Sequence, residues 1–118
     1  MNNESNTKST IEVEVELDKD MMPVAIRWKS EANPQGADFA ECKAFSLALF
    51  DKEYKDTFKI DLWTKEMQVV EMDRFVFQTL RSLGDTYFKA TKNQDLANEM
   101  QMFVDHFGRR TGIITEEN

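Results

Sequence analysis

Apolar and polar residues alternate from Ile11 to Leu17: Ile11, Val13, Val15 and Leu17 are interleaved with Glu12, Glu14 and Glu16. Successive strand side chains point to opposite faces, so the pattern predicts a strand with one apolar and one acidic face. Asp18-Lys19-Asp20 starts a turn, and Val24, Ile26 and Trp28 then alternate with Ala25, Arg27 and Lys29. In an antiparallel hairpin, the register that matches the apolar faces sets Leu17 against Val24, Val15 against Ile26 and Val13 against Trp28. The same register sets Glu14 against Arg27 and Glu12 against Lys29, pairs worth about 0.2–1 kcal/mol each. Apolar matching and charge matching select one pairing.

Asn33-Pro34-Gln35-Gly36 is turn chemistry. Phe39, Cys42, Phe45, Ser46, Leu49 and Phe50 then follow a 3.6-residue spacing, which predicts a helix from about Ala37 to Lys52. Phe58, Ile60 and Leu62 alternate with Lys59, Asp61 and Trp63 as a third strand. From about Val69 a second helix carries Val69, Met72, Val76, Leu80, Leu83 and Tyr87 on one face. Val70, Phe77 and Phe88 form a further stripe, and Phe75 widens the arc beyond what a helix wet on one side needs. Asn93 suits an N-cap, and Leu96, Met100, Phe103, Val104 and Phe107 mark a third helix. Arg109, Arg110 and Gly112 suit its end.

The order β-β-α-β-α-α predicts a single α+β domain over residues 10–112: a small sheet with an N-terminal antiparallel hairpin and helices packed on one face. Residues 1–9 are expected as a disordered tail and residues 113–118 as a loose one. The direction of the third strand is left open, because a helical connection permits a parallel crossover or a return.

The chain has 118 residues, enough for one domain, with 41% apolar and 31% charged positions. Its net charge of −7 argues against nucleic acid, whose binding runs on neutralised phosphates, and against anionic membrane surfaces. Basic or apolar protein surfaces suit it better. Residues 1–8 lack the apolar run of a secretory signal, and no segment approaches 18 apolar residues. The single cysteine, Cys42, precludes an intrachain disulfide. A cytoplasmic protein is the simplest expectation.

No residue assembles into a catalytic or metal motif. His106 has no nucleophile or metal partner at useful spacing, and reads as a solvated or edge-of-core side chain. Cys42 sits between Phe39 and Phe45 on an apolar stripe and reads as a buried filler. Glu12, Glu14 and Glu16 stand roughly 7 Å apart along a strand, unlike the converging oxygens of a calcium loop. No catalytic, cofactor-binding or metal residue is therefore assigned. Trp63 turns outward by parity beside Lys59 and Asp61, and outward aromatics mark contact surfaces. The alternative is that the strand ends before Trp63 and its ring folds under the next helix. Trp63, Val70, Phe77 and Phe88 are the candidate protein-contact residues, and the apolar second helix leaves room for a homodimer.

Several blocks together resemble the gliding-motility protein GldC family. They are Val15-Glu16-Leu17-Asp18, Pro23 and Trp28; Glu41-Cys42-Lys43-Ala44; Asp56-Thr57-Phe58-Lys59-Ile60-Asp61-Leu62-Trp63-Thr64-Lys65-Glu66-Met67; and Gln78-Thr79-Leu80 with Asp85-Thr86. The resemblance runs from about Ile11 to Phe107, with Gln68 standing where the family leads one to expect a proline opening the helix. It implies a cytoplasmic accessory protein of gliding motility, with protein partners in the motility apparatus and no catalytic residue to carry over. An acidic, chaperone-like adaptor for an exported or envelope-machine client is the alternative. A small-molecule-binding or hydrolytic domain is a third, and would require a deep pocket lined by convergent polar groups.

Overall fold

The computed structural model describes residues 5–31 and 38–115. The Asn33–Gly36 turn, residues 1–4 of the expected N-terminal tail and residues 116–118 of the C-terminal one lie outside the described residues. Two compact units divide the chain, Met1–Met67 and Gln68–Asn118. The first contains β1 (Ile11–Leu17), β2 (Pro23–Ser30), β3 (Ala40–Cys42), β4 (Ala44–Phe50) and β5 (Thr57–Trp63). The second contains α1 (Val69–Thr91) and α2 (Gln94–Thr111). The class is α+β, as the sequence predicts.

In the first unit, β1, β2 and β3 form an antiparallel sheet in that order. Val13 faces Trp28, Glu14 faces Arg27, Val15 faces Ile26 and Glu12 faces Lys29, the register read from the sequence. Arg27 donates to Glu14 and Glu16 at 3.1 Å each, and Lys29 lies 3.8 Å from Glu12. The expected Leu17–Val24 pair is corrected: a bulge between Glu16 and Leu17 sets Leu17 against Pro23. The turn supplies the reason. The Asp18 carboxylate accepts from the Asp20 and Met22 amides at 2.8 and 3.0 Å, and Asp18 N–H donates to Met22 C=O at 2.9 Å. Met21 takes a left-handed conformation (φ 63°), so the turn closes at Met22 and Val24 becomes the extra residue.

The helix expected over Ala37–Lys52 does not form. Its described residues build β3 and β4 instead, so the element order is β-β-β-β-β-α-α and there are two sheets rather than one. Ala44-Phe45-Ser46-Leu47-Ala48-Leu49-Phe50 fits both the helical and the strand period, as short apolar runs do. Pairing decides it. Phe45, Leu47 and Leu49 face Leu62, Ile60 and Phe58 across an antiparallel ladder, an arrangement that a helix would scatter. The strand expected as the third is therefore β5, antiparallel to β4.

In the second unit, Gln68 caps α1 with its backbone N–H bonded to the Glu71 carboxylate at 3.0 Å. Gln68 thus stands before the first helical turn, where the Glu71 carboxylate satisfies the Gln68 amide. Lys92, left-handed at φ 60°, closes α1 through its N–H to Phe88 C=O at 2.7 Å. Asn93 caps α2 by accepting from Leu96 N–H at 3.1 Å, and Gly112 ends it at φ 83°. Both fit the sequence reading. Phe77 and Val104 are buried between the two helices, beside Gly108. A Cβ on Gly108 would come within 2.6 Å of both Phe77 Cε1 and Ile114 Cδ1. Only glycine permits that approach. Ile114, which the sequence reading assigns to a loose tail, belongs to this packing, its N–H bonded to Gly108 C=O at 2.9 Å.

Candidate functional site

The β4–β5 hairpin is held by a turn on Asp51. Its carboxylate accepts from the Glu53 and Tyr54 amides at 3.0 and 2.7 Å, its N–H donates to Asp56 C=O at 2.8 Å, and Lys55 takes φ 58°. This local network fixes the register, which places Phe45, Leu47, Leu49, Phe58, Ile60 and Leu62 on one face. Leu49 and Ile60 are exposed, and Phe58 is 61% exposed. Phe50 and Tyr54 at the hairpin tip are exposed as well.

The opposite face is polar. Ser46 Oγ donates to Asp61 Oδ1 at 2.6 Å, and Lys59 Nζ donates to the same oxygen at 2.6 Å and to Ser46 Oγ at 3.0 Å. The Lys59 bond, then the Ser46 bond, holds the Asp61 carboxyl below the usual carboxylate range. Trp63 closes this face opposite Ala44 and is 55% exposed. β5 therefore runs through Trp63 rather than ending before it, and the ring stays in solvent.

The candidate residues on α1 divide. Val70 is exposed and Phe88 half-buried, with Lys92 Nζ 5.5 Å from the Phe88 ring centre. Phe77 is 5% exposed and belongs to the packing of α1 on α2, which corrects its place on a contact surface. A helical stripe shows which residues share a side, and leaves open which of them the neighbouring helix covers. Gly108 carries the answer: the small residue lets the Phe77 ring in.

Cys42 lies on β3 opposite Ile26, not on a helix, and is half-buried. Burial raises its thiol pKa, which keeps the sulfur protonated and a poor nucleophile. It lines a cleft of about 210 Å³ with Ile26, Lys43, Thr64 and Glu66. Thr64 is 4% exposed, and its hydroxyl has no partner among the described residues. Sequence reading missed this cleft because its walls come from three separated segments. His106 is exposed, its ring 6.3 Å from that of Phe103. Among the described residues, no three His, Cys, Asp or Glu side chains come together as a metal site, and no helix is long and apolar enough to cross a membrane.

Comparison with curated proteins and with solved structures finds no match. A family model described as gliding motility-associated protein GldC-like matches residues 23–113, from the first residue of β2 to just beyond α2. The chain belongs to the GldC-like family of gliding motility-associated proteins.

Proposed function

We propose that this protein is a non-enzymatic, cytoplasmic accessory protein of gliding motility that works through protein–protein contacts. The observation that carries this reading is the bare apolar face of the β4–β5 hairpin, with Leu49, Phe58 and Ile60 exposed in one block. A two-stranded sheet gains little stability from such a face while it is wet, so the residues there serve a surface that meets them. Trp63 on the other face and Val70 on α1 add exposed apolar anchors. The test is complementation of gliding cells lacking the protein, with crosslinked capture from the same cells. Phe58→Asp and Trp63→Ala, each with native circular dichroism, are expected to impair gliding and change the recovered partners. Normal gliding with an unchanged partner set in both variants would overturn the reading, as would turnover by the purified protein that one polar substitution abolishes.

A chaperone-like adaptor is the second reading, favoured by Phe50 and Tyr54 exposed at the hairpin tip of a chain with net charge −7. It requires binding to an unfolded basic polypeptide that weakens with salt and with Trp63→Ala. A fixed accessory protein does not hold unfolded polypeptides irrespective of their sequence.

A further inference from the structure

β1 lies at the edge of its sheet and pairs only with β2 among the described residues. Its outer side therefore offers a seven-residue row of backbone donors and acceptors to an incoming strand. On the apolar face of this strand Ile11 is 72% exposed, and Val13 and Leu17 are exposed too. The polar face holds Glu12, Glu14 and Glu16 on β1 and Glu41 on β3, against Arg27 and Lys29 on β2. Among the paired strand residues, four carboxylates stand against two cations. Arg27 is already divided between Glu14 and Glu16.

Resting on the reading that the chain works through protein contacts, we infer that the β1 edge takes an extended segment of a partner protein in which lysine or arginine alternates with apolar residues. Its basic side chains meet Glu12, Glu14 and Glu16, and its apolar ones extend the Val13–Val15 face.

A second copy does not fit. Antiparallel pairing of β1 with itself about Val13, Glu14 or Val15 sets glutamate opposite glutamate, which opposes pairing. A shift of one residue sets each glutamate opposite a valine, isoleucine or leucine and turns it onto the apolar face. The other strands select less. β3 spans three residues, β4 carries no charged side chain, and the polar face of β5 carries one Lys59 and one Asp61, whose charges balance and favour neither sign of partner.

The probe is a seven-residue peptide alternating lysine with valine, titrated into the purified full chain beside a peptide of the same composition with its lysines grouped at one end. The alternating peptide is expected to bind about tenfold more tightly, the factor that three cross-strand ion pairs supply. Its affinity should fall as salt rises. The combined Glu12→Gln, Glu14→Gln and Glu16→Gln variant should remove that advantage. Consecutive residues of an edge strand direct their amides alternately inward and outward. Of Val13→Pro and Glu14→Pro, the variant that stays folded should therefore lose peptide binding.

Equal affinity for the two peptides overturns the inference, even if every variant misfolds. So does binding unchanged by the glutamine variant, or self-association of the protein through this edge. Loss of gliding in Phe58→Asp together with equal peptide affinities would sink this inference alone. Selective peptide binding with normal gliding in Phe58→Asp and Trp63→Ala would sink the hairpin surface alone.

Discussion

Two phenylalanines show how differently the units treat the same side chain. Phe77 in the helical hairpin is 5% exposed and pressed against Gly108, whereas Phe58 on the β4–β5 sheet is 61% exposed. Both sit on an apolar face that the sequence marks clearly. The helical hairpin supplies its own cover, because α2 presents a glycine where the ring must enter. The two-stranded sheet has a correct register and a tight turn, but two strands cannot bury a face they both display. Apolar patterning thus states that a face wants cover, and says nothing about where the cover comes from.

The largest effects test that contrast directly. Phe77→Ala should destabilise the helical unit by about 3–5 kcal/mol, as for a large buried ring. Phe58→Ala should stay within about 0.5 kcal/mol of the native protein. Denaturant titration of both variants measures the difference. A loss of about 2 kcal/mol or more for Phe58→Ala would show that the face is covered in solution.

Next comes Gly108→Ala, which forces a methyl group into a 2.6 Å gap against Phe77 and Ile114. It should cost about 1–3 kcal/mol although alanine is the better helix former. A stabilised variant would mean that the ring moves aside freely, and would weaken the contrast. Asn93→Ala removes the bond to Leu96 N–H and should cost about 0.5–2 kcal/mol, lowering the thermal midpoint of the helical unit.

The smallest effect belongs to the strand unit and depends on pH. Asp61, bonded to Lys59 and then Ser46, and Asp18, bonded first to Lys65, both hold their carboxyls below the ordinary value of 3.8. A carboxyl whose folded pKa is depressed stabilises the fold above its unfolded pKa, and that contribution is lost as pH falls through the folded value. Thermal unfolding should therefore show a modest loss below about pH 4, with little change between about pH 5 and 7. Asp18→Asn with Asp61→Asn should flatten that acid limb. The Lys59–Asp61 pair is solvent-exposed, and half-buried Asp18 pairs with an exposed Lys65, so screening keeps the effect small.

The legible parts of the fold are those whose partners lie close in sequence. Glu12, Glu14, Arg27 and Lys29 reveal the β1–β2 register, and Asn93 and Gly112 mark the ends of α2 by local hydrogen bonding. β4 reads as a helix from the sequence because Phe45, Leu49 and Phe50 fit the helical period while Phe45, Leu47 and Leu49 fit the strand period, all within seven residues. The discriminating signal lay across Asp51–Asp56, where the same spacing recurs in Phe58, Ile60 and Leu62. Phe77 is hard to place from sequence for a related reason, since its cover lies on the next helix. Gly108, four residues beyond Val104 on the same stripe, was the sign that α1 approaches there. Of the candidate contact residues, Trp63 is exposed, as the strand parity implies, and so is Val70, which helical spacing alone does not place. The Thr64–Cys42 cleft had no local signature at all.

Each strand or helix pairs with the element next to it in the chain: β1 with β2, β2 with β3, β4 with β5, and α1 with α2. Such wiring has a kinetic meaning. Loops to be closed are short, so little chain entropy must be surrendered before the first native pairings form, and folding belongs toward the rapid end for a mixed α and β chain. Each hairpin can assemble as it emerges during synthesis, and the Lys65–Asp18 ion pair, spanning 47 positions, closes once β1 and β5 already stand. A slow refolding phase whose rate rises with protein concentration would then point to assembly with another molecule rather than to the chain itself.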